Sequence, residues 1–147
     1  MYTISNVSDD FVKCVDEQAF KKLYCSLRLR HKELKNQKNQ KIFCIETEET
    51  VAGFPDVMEL FTSSSCAMAV HFYEFKASDR YGNIEFQPTQ PAFYKSNEDL
   101  KVRVIAYNRK SHRVHTFSAS EIFNKDSPYH TTNRRINLTA VEKEVGV

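Results

Sequence analysis

The stretch from Cys66 to Phe117 constrains the fold most. Four short runs in it (CAMAVHFYEFK, IEFQ, VRVIAY and VHTF) are rich in β-branched and aromatic residues and are separated by turn residues. In Cys66–Lys76, Met68, Val70 and Phe72 alternate with Ala69, His71, Tyr73 and Phe75. Both sides are apolar, so this strand is expected at the centre of its sheet. Asp79–Asn83, with Gly82 free to take a positive φ, reads as a hairpin loop. Pro88 and Pro91 separate two expected short strands, Ile84–Gln87 and Ala92–Lys95, and place them at a bend or an edge. Val102–Tyr107 and Val114–Phe117 then read as a pair joined by the polar turn Asn108–His112. Ser118 to Glu121 has the spacing of a capping box ahead of Ile122.

Before this stretch, Asp16 to about Gln37 reads as a helix, with Asp16 as cap and Glu17 in the first turn. Phe20, Leu23, Tyr24, Leu27, His31 and Leu34 form its apolar stripe. Lys21, Arg28, Lys32 and Lys35 form a second line, expected to face solvent. Ser8 is a candidate cap for a helical turn over residues 8–15. Lys41–Thr47 reads as a strand, and Phe54-Pro55-Asp56 as the start of a short helix to about Thr62, with Pro55 in its first turn. Asn137–Glu144 fits a short helix or a strand. The expected fold is α+β: a long N-terminal helix packed on a small, strongly bent antiparallel β-barrel of Sm or SH3 type. A single domain over 1–147 is expected, divided into a helical part (1–40), a barrel part (41–124) and a C-terminal tail (125–147).

At 147 residues, 41% hydrophobic and 27% charged, the chain can bury a core. Three glycines leave little room for a glycine-rich phosphate loop. No apolar run approaches the ~18 residues of a membrane span, and MYTISNVSDDF lacks the pattern of a secretory leader. Cys14, Cys25, Cys44 and Cys66 form no CxxC pair and are expected to be reduced thiols in a cytoplasmic protein. Charge is unevenly laid out. Lys21 to Lys41 holds eight basic residues against Glu33, whereas Ile42 to Thr62 holds five acidic residues and no basic one.

From about Val57 to Phe123 the chain resembles the WYL domain, a small Sm-like or SH3-like barrel found mostly in bacterial regulators. The residues that carry the resemblance are Val70-His71-Phe72-Tyr73 as first barrel strand, Gly82 in the hairpin and Pro88 after the second strand. Val102-Arg103-Val104 stands at the naming tripeptide, followed by Ala106-Tyr107, with Phe117 and Ile122 in the family's last run. The resemblance implies contacts with nucleic acid or a nucleotide-like ligand. The naming Trp-Tyr-Leu is absent, and His115, Ser118 and Glu121 stand where the family has basic residues. Residues 1–50 do not supply a winged-helix domain.

Two sets of residues fit a polyanion. On the barrel, Arg103, Arg113 and His115 are the expected contacts, with Tyr107 stacking on a base. On the helix, Lys21, Arg28, Lys32 and Lys35 are expected to meet backbone phosphates. His112, His115, His71 and Cys66 lack the spacing of a zinc site. No GxSxG, Walker loop, HExxH or GxGxxG occurs. No metal, cofactor or catalytic residue is therefore expected. The leading expectation is a non-enzymatic module that binds RNA, single-stranded DNA or a nucleotide-like ligand as an accessory factor. A second is a protein–protein inhibitor or adaptor, of phage or mobile-element type, acting on a nucleic-acid-processing complex. A third is a small ribonuclease working through His71 and His115. No membrane partner is expected.

Overall fold

The computed structural model describes residues 2–6, 16–35, 40–47, 51–63 and 68–147, and for 27–35, 40–44, 46, 61–63, 68 and 69 it describes the backbone alone. The expected turn at 8–15 lies outside the described residues. In chain order the elements are β1 (Thr3–Asn6), α1 (Glu17–Lys35), β2 (Gln40–Glu46), β3 (Val57–Ser63), β4 (Met68–Ala77) and β5 (Asn83–Glu85). Then follow α2 (Thr89–Ser96), a 3-10 turn (Glu98–Leu100), β6 (Arg103–Asn108), β7 (Arg113–Ser118), a second 3-10 turn (Ala119–Ile122), β8 (Arg135–Asn137) and α3 (Leu138–Val145).

The main sheet is open, not a barrel. Its six strands run in the order β1-β7-β6-β4-β3-β2, with β1 paired only to β7 and β2 only to β3. β2, β3 and β4 form an antiparallel meander, while β4 and β6 pair in parallel, Glu74 opposite Val104. A parallel pair needs a crossover, and β5, α2 and the 3-10 turn supply it. That crossover is what prevents the consecutive hairpins a barrel requires. Asp79–Asn83 turns the chain as expected, with Gly82 at φ 89°. It is not a hairpin, because β5 leaves β4 and pairs with β8, Ile84 opposite Ile136. The expected strand Ala92–Lys95 is helical, since Pro88 and Pro91 sit at the cap and first turn of α2, where no helical N–H is lost. The expected helix after Pro55 is strand β3. Proline also suits the entry to a strand, and the ladders on either side decide for the strand. Ser118 makes no capping bond to the 3-10 turn that follows it.

Each face of the sheet is covered differently. On one face α1 begins under a cap in which the Ala19 N–H donates to Asp16 Oδ1 at 2.8 Å. Phe20, fully buried, stacks on Tyr107 with ring centroids 5.3 Å apart and meets the edge of Phe75. The described packing of α1 runs only over its first turns, residues 17–26, across an open sheet. The expectation of a long helix lying on a barrel is therefore overturned. The other face carries the larger core. Val104, Ala106 and Phe117 point into it, covered by Phe86 and Tyr94 and by Tyr129, Leu138 and Val141. The polar stretch after Asn124 thus contributes Tyr129, stacked on Phe117 at 4.0 Å, and a helix capped by the Asn137 side chain.

Candidate active site

The fold brings together five side chains from four elements. Glu17 is the first residue of α1, Asp56 precedes β3, Glu74 and Lys76 lie two apart on β4, and Gln90 is in the first turn of α2. All five line one cleft of about 210 Å³. The β3–β4 register, Val57 opposite Tyr73, sets Asp56 across from Glu74. Two main-chain bonds hold that juxtaposition. The Asp56 N–H donates to Glu74 Oε2 at 3.2 Å, and the Phe75 N–H donates to Asp56 Oδ2 at 3.1 Å. One oxygen from each of Glu17, Asp56 and Glu74 falls within 4.8 Å of the others.

Lys76 and Gln90 complete the wall. Lys76 Nζ donates to Gln90 Oε1 at 3.0 Å and lies 3.7 Å from Glu74 Oε1. Gln90 is oriented at both ends of its amide. Its Oε1 accepts from the Gln87 N–H at 2.8 Å and its Nε2 donates to Glu74 Oε1. The loop before Asp56 is fixed as well. The Thr47 hydroxyl donates to the Pro55 carbonyl, and the Thr47 N–H to the Asp56 carbonyl at 2.9 Å. Gly53, at φ 83°, lets this loop touch α2. A Cβ there would stand 2.4 Å from the Thr89 carbonyl oxygen.

The electrostatics are crowded. Three carboxylates surround the Lys76 ammonium, and the buried Lys21 acts on Glu17 as well. Burial, with Asp56 beside it, pushes the Glu74 carboxyl up to about 8, against the pull of Lys76. Burial raises Glu17 too. Carboxylate oxygens converging at this separation suit a hard divalent cation such as Mg²⁺ or Mn²⁺, which would invert those shifts. Glu17, Asp56 and Glu74 are the residues that would hold it.

The residues expected from sequence are scattered. Tyr107 is buried against Phe20, and its hydroxyl is paired with His112 Nδ1 at 3.0 Å. His115 is fully buried, between the Tyr129 hydroxyl at 2.6 Å and Glu142 at 3.2 Å. Neither meets solvent, so neither can stack on a base or contact a phosphate here. The β6–β7 hairpin forms as expected, but Arg103 pairs with Ser118 and Arg113 with Asn108, at opposite ends. Five residues along a strand is ~16 Å, and alternation puts the two arginines on opposite faces. Lys21 is buried instead of solvent-facing. The side chains of Arg28, Lys32 and Lys35 lie outside the described residues. His71 and His115 occupy opposite faces of the sheet, His71 beside Tyr73 and His115 beside Tyr129, and do not form an acid–base pair.

Sequence reasoning missed all five: Glu17, read only as a first-turn helix residue, and Asp56, Glu74, Lys76 and Gln90. A signal was present in β4. Glu74 and Lys76, two apart on a strand expected to be covered on both sides, place two charges where burial is costly.

The fold and cleft define a class: helices over an open mixed sheet, with a carboxylate–lysine cleft between β4, the loop before β3 and the starts of α1 and α2. The chain matches no family model, no curated protein and no solved structure. Among the described residues no helix is long and apolar enough to cross a membrane.

Proposed function

We propose that this chain is a metal-dependent phosphodiesterase acting on nucleic acid. One observation carries the reading: Glu17, Asp56 and Glu74 converge in one cleft with a buried lysine on the same wall. A divalent cation held there would polarise a phosphoryl oxygen and supply hydroxide near neutral pH. Asp56 and Glu74, with Glu17, would hold the cation; main-chain hydrogen bonds fix Asp56 and Glu74 relative to each other beforehand. The Lys76 ammonium on the same wall would offset negative charge developing on phosphoryl oxygens. Gln90 positions Lys76 and Glu74 relative to each other.

The substrate class follows from charge. The helix that opens with Glu17 enters the most basic segment of the chain, Lys21 to Lys41. An acidic cleft that takes up a cation beside a basic segment suits a polyanion more than a neutral ester or glycoside. The nucleic-acid partner expected from the sequence is kept as substrate; the non-enzymatic role and the absence of a metal are replaced. A cytoplasmic setting goes with this reading.

The test is cleavage of labelled single- and double-stranded oligonucleotides with Mg²⁺ or Mn²⁺ and with chelator. Cleavage that needs the metal and is lost in Asp56→Asn and Lys76→Ala supports the reading. Metal-independent cleavage, or wild-type turnover in both variants, overturns it.

A further inference from the structure

Resting on that reading, we propose that a trough at the far end of α2 is a second subsite, which holds the phosphodiester backbone of a bound nucleic-acid strand through Lys101 and Arg103. Two cavities, of about 270 and 360 Å³, share Lys101 and Ser118 in their linings. One runs along the end of α2 past Tyr94 and Asn97. The other runs along the β1–β7–β6 end of the sheet past Thr3, Thr116 and Arg103.

Two observations point to an anionic, oxygen-rich ligand. First, Lys101 and Arg103 are exposed, and neither side chain has a hydrogen-bond or ion-pair partner among the described residues. Glu98 is the only carboxylate in the lining. Second, Lys101 takes the left-handed conformation at φ 50°, ψ 50°, closing the 3-10 turn. Glycine or asparagine adopts that geometry more cheaply. A lysine at such a position, exposed and unpaired, brings an ammonium to the trough at a cost its own packing does not repay.

The trough is also placed to extend the cleft. Gln90 of the cleft and Tyr94 of the trough are four residues apart on α2, about 6 Å along its axis. Gln90 and Tyr94 are buried, so a strand engaged at the carboxylates would pass over the exposed face of α2 to reach Lys101.

The test titrates a labelled single-stranded oligonucleotide by fluorescence anisotropy, with Asp56→Asn as background to prevent cleavage. The double substitution Lys101→Gly, Arg103→Gln is expected to weaken binding about tenfold at low salt. It should also lower the slope of log K against log salt by about 1.4, or 0.7 per lost phosphate contact. Glycine fits the left-handed position, so loss of the fold would not explain a loss of binding. In the active background the same pair should raise KM for the oligonucleotide and leave hydrolysis of bis(p-nitrophenyl) phosphate unchanged. Unchanged affinity and salt slope overturn the subsite. If neither substrate is hydrolysed by the wild type, the phosphodiesterase reading falls, while the anisotropy titration still decides the trough.

Discussion

Two clusters, each centred on a buried carboxylate, use similar groups to opposite ends. Around Glu142 on α3, the carboxylate accepts from Asn108 at 3.0 Å, Ser111 at 2.5 Å and His115 at 3.2 Å, with Arg113 at 3.9 Å. His115 gives its Nε2–H to Glu142 and accepts the Tyr129 hydroxyl at Nδ1. Each strong donor or acceptor has a partner, and the cluster ties α3 and the β6–β7 turn to the sheet. In the cleft, Glu74 has Lys76 and Gln90 but also Asp56 and Glu17 beside it. Burial alone does not mark function, since Glu142 and Glu74 are both buried. What separates them is how the charge is met: by a full set of hydrogen-bond donors around Glu142, and by a raised proton affinity at Glu74. On the proposed function, the first cluster is structural and the second is the one that takes up a cation.

The sharpest way to break this contrast is to remove one carboxylate from each. Asp56→Asn should lower phosphodiester turnover on the order of 10³-fold, the loss of several kcal/mol of metal-borne charge stabilisation. The melting temperature should hold or rise. Glu142→Ala should do the reverse, leaving His115, Asn108 and Ser111 without their acceptor. A loss of about 3 kcal/mol, or roughly 6–12 °C in melting temperature, is expected, with turnover per folded molecule preserved. A melting curve and a turnover assay on both variants decide it; swapped phenotypes would reverse the assignment.

Backbone packing gives a smaller effect. Gly53→Ala must push the loop off the Thr89 carbonyl and strain a left-handed φ. About 2 kcal/mol of stability and part of the turnover should go, because Asp56 follows in the same loop. Gly146→Ala has a similar φ of 82° but nothing within 4 Å. It should cost about 1 kcal/mol and leave turnover alone.

The smallest expected effect is in pH dependence, where the clusters differ in sign. Folding raises Glu74 from an ordinary 4.5 to about 8. Across that window the folded chain holds more protons than the unfolded one, so raising the pH costs stability. Burial lowers His115 from 6.5, against the hydrogen bond and charge of Glu142. There the unfolded chain takes up the proton first, so acid costs stability. Above pH 6.5 only the cleft should respond. The metal-free melting temperature should drift down by a few degrees towards pH 8, and Mg²⁺ or Glu74→Gln should flatten the drift. A flat metal-free profile in the wild type would mean that Glu74 is not held protonated.

Parts of this were legible from local signals. The Asp16 cap, the β6–β7 hairpin and the central place of β4 follow from capping chemistry, turn residues and alternation. The two prolines about Thr89 and the one before Asp56 misled, since each suits a helix start and a strand end alike. The site was illegible for a related reason. The hairpin's own register sets Arg103 and Arg113 at opposite ends and on opposite faces. Packing of α1 and of the C-terminal part then buries Tyr107 and His115.

Sequence by itself determined which segments could be strands, where the chain could turn, and that one long segment is basic and the next acidic. Those properties depend on neighbours within a few residues. Tertiary structure decided that β4 pairs in parallel with β6 and that Asp56 stands opposite Glu74, 18 residues away. It also decided that Glu17 reaches both. Ladder register and crossover are settled by packing across the whole sheet, and the concentration of charge that defines the cleft exists only once they are set.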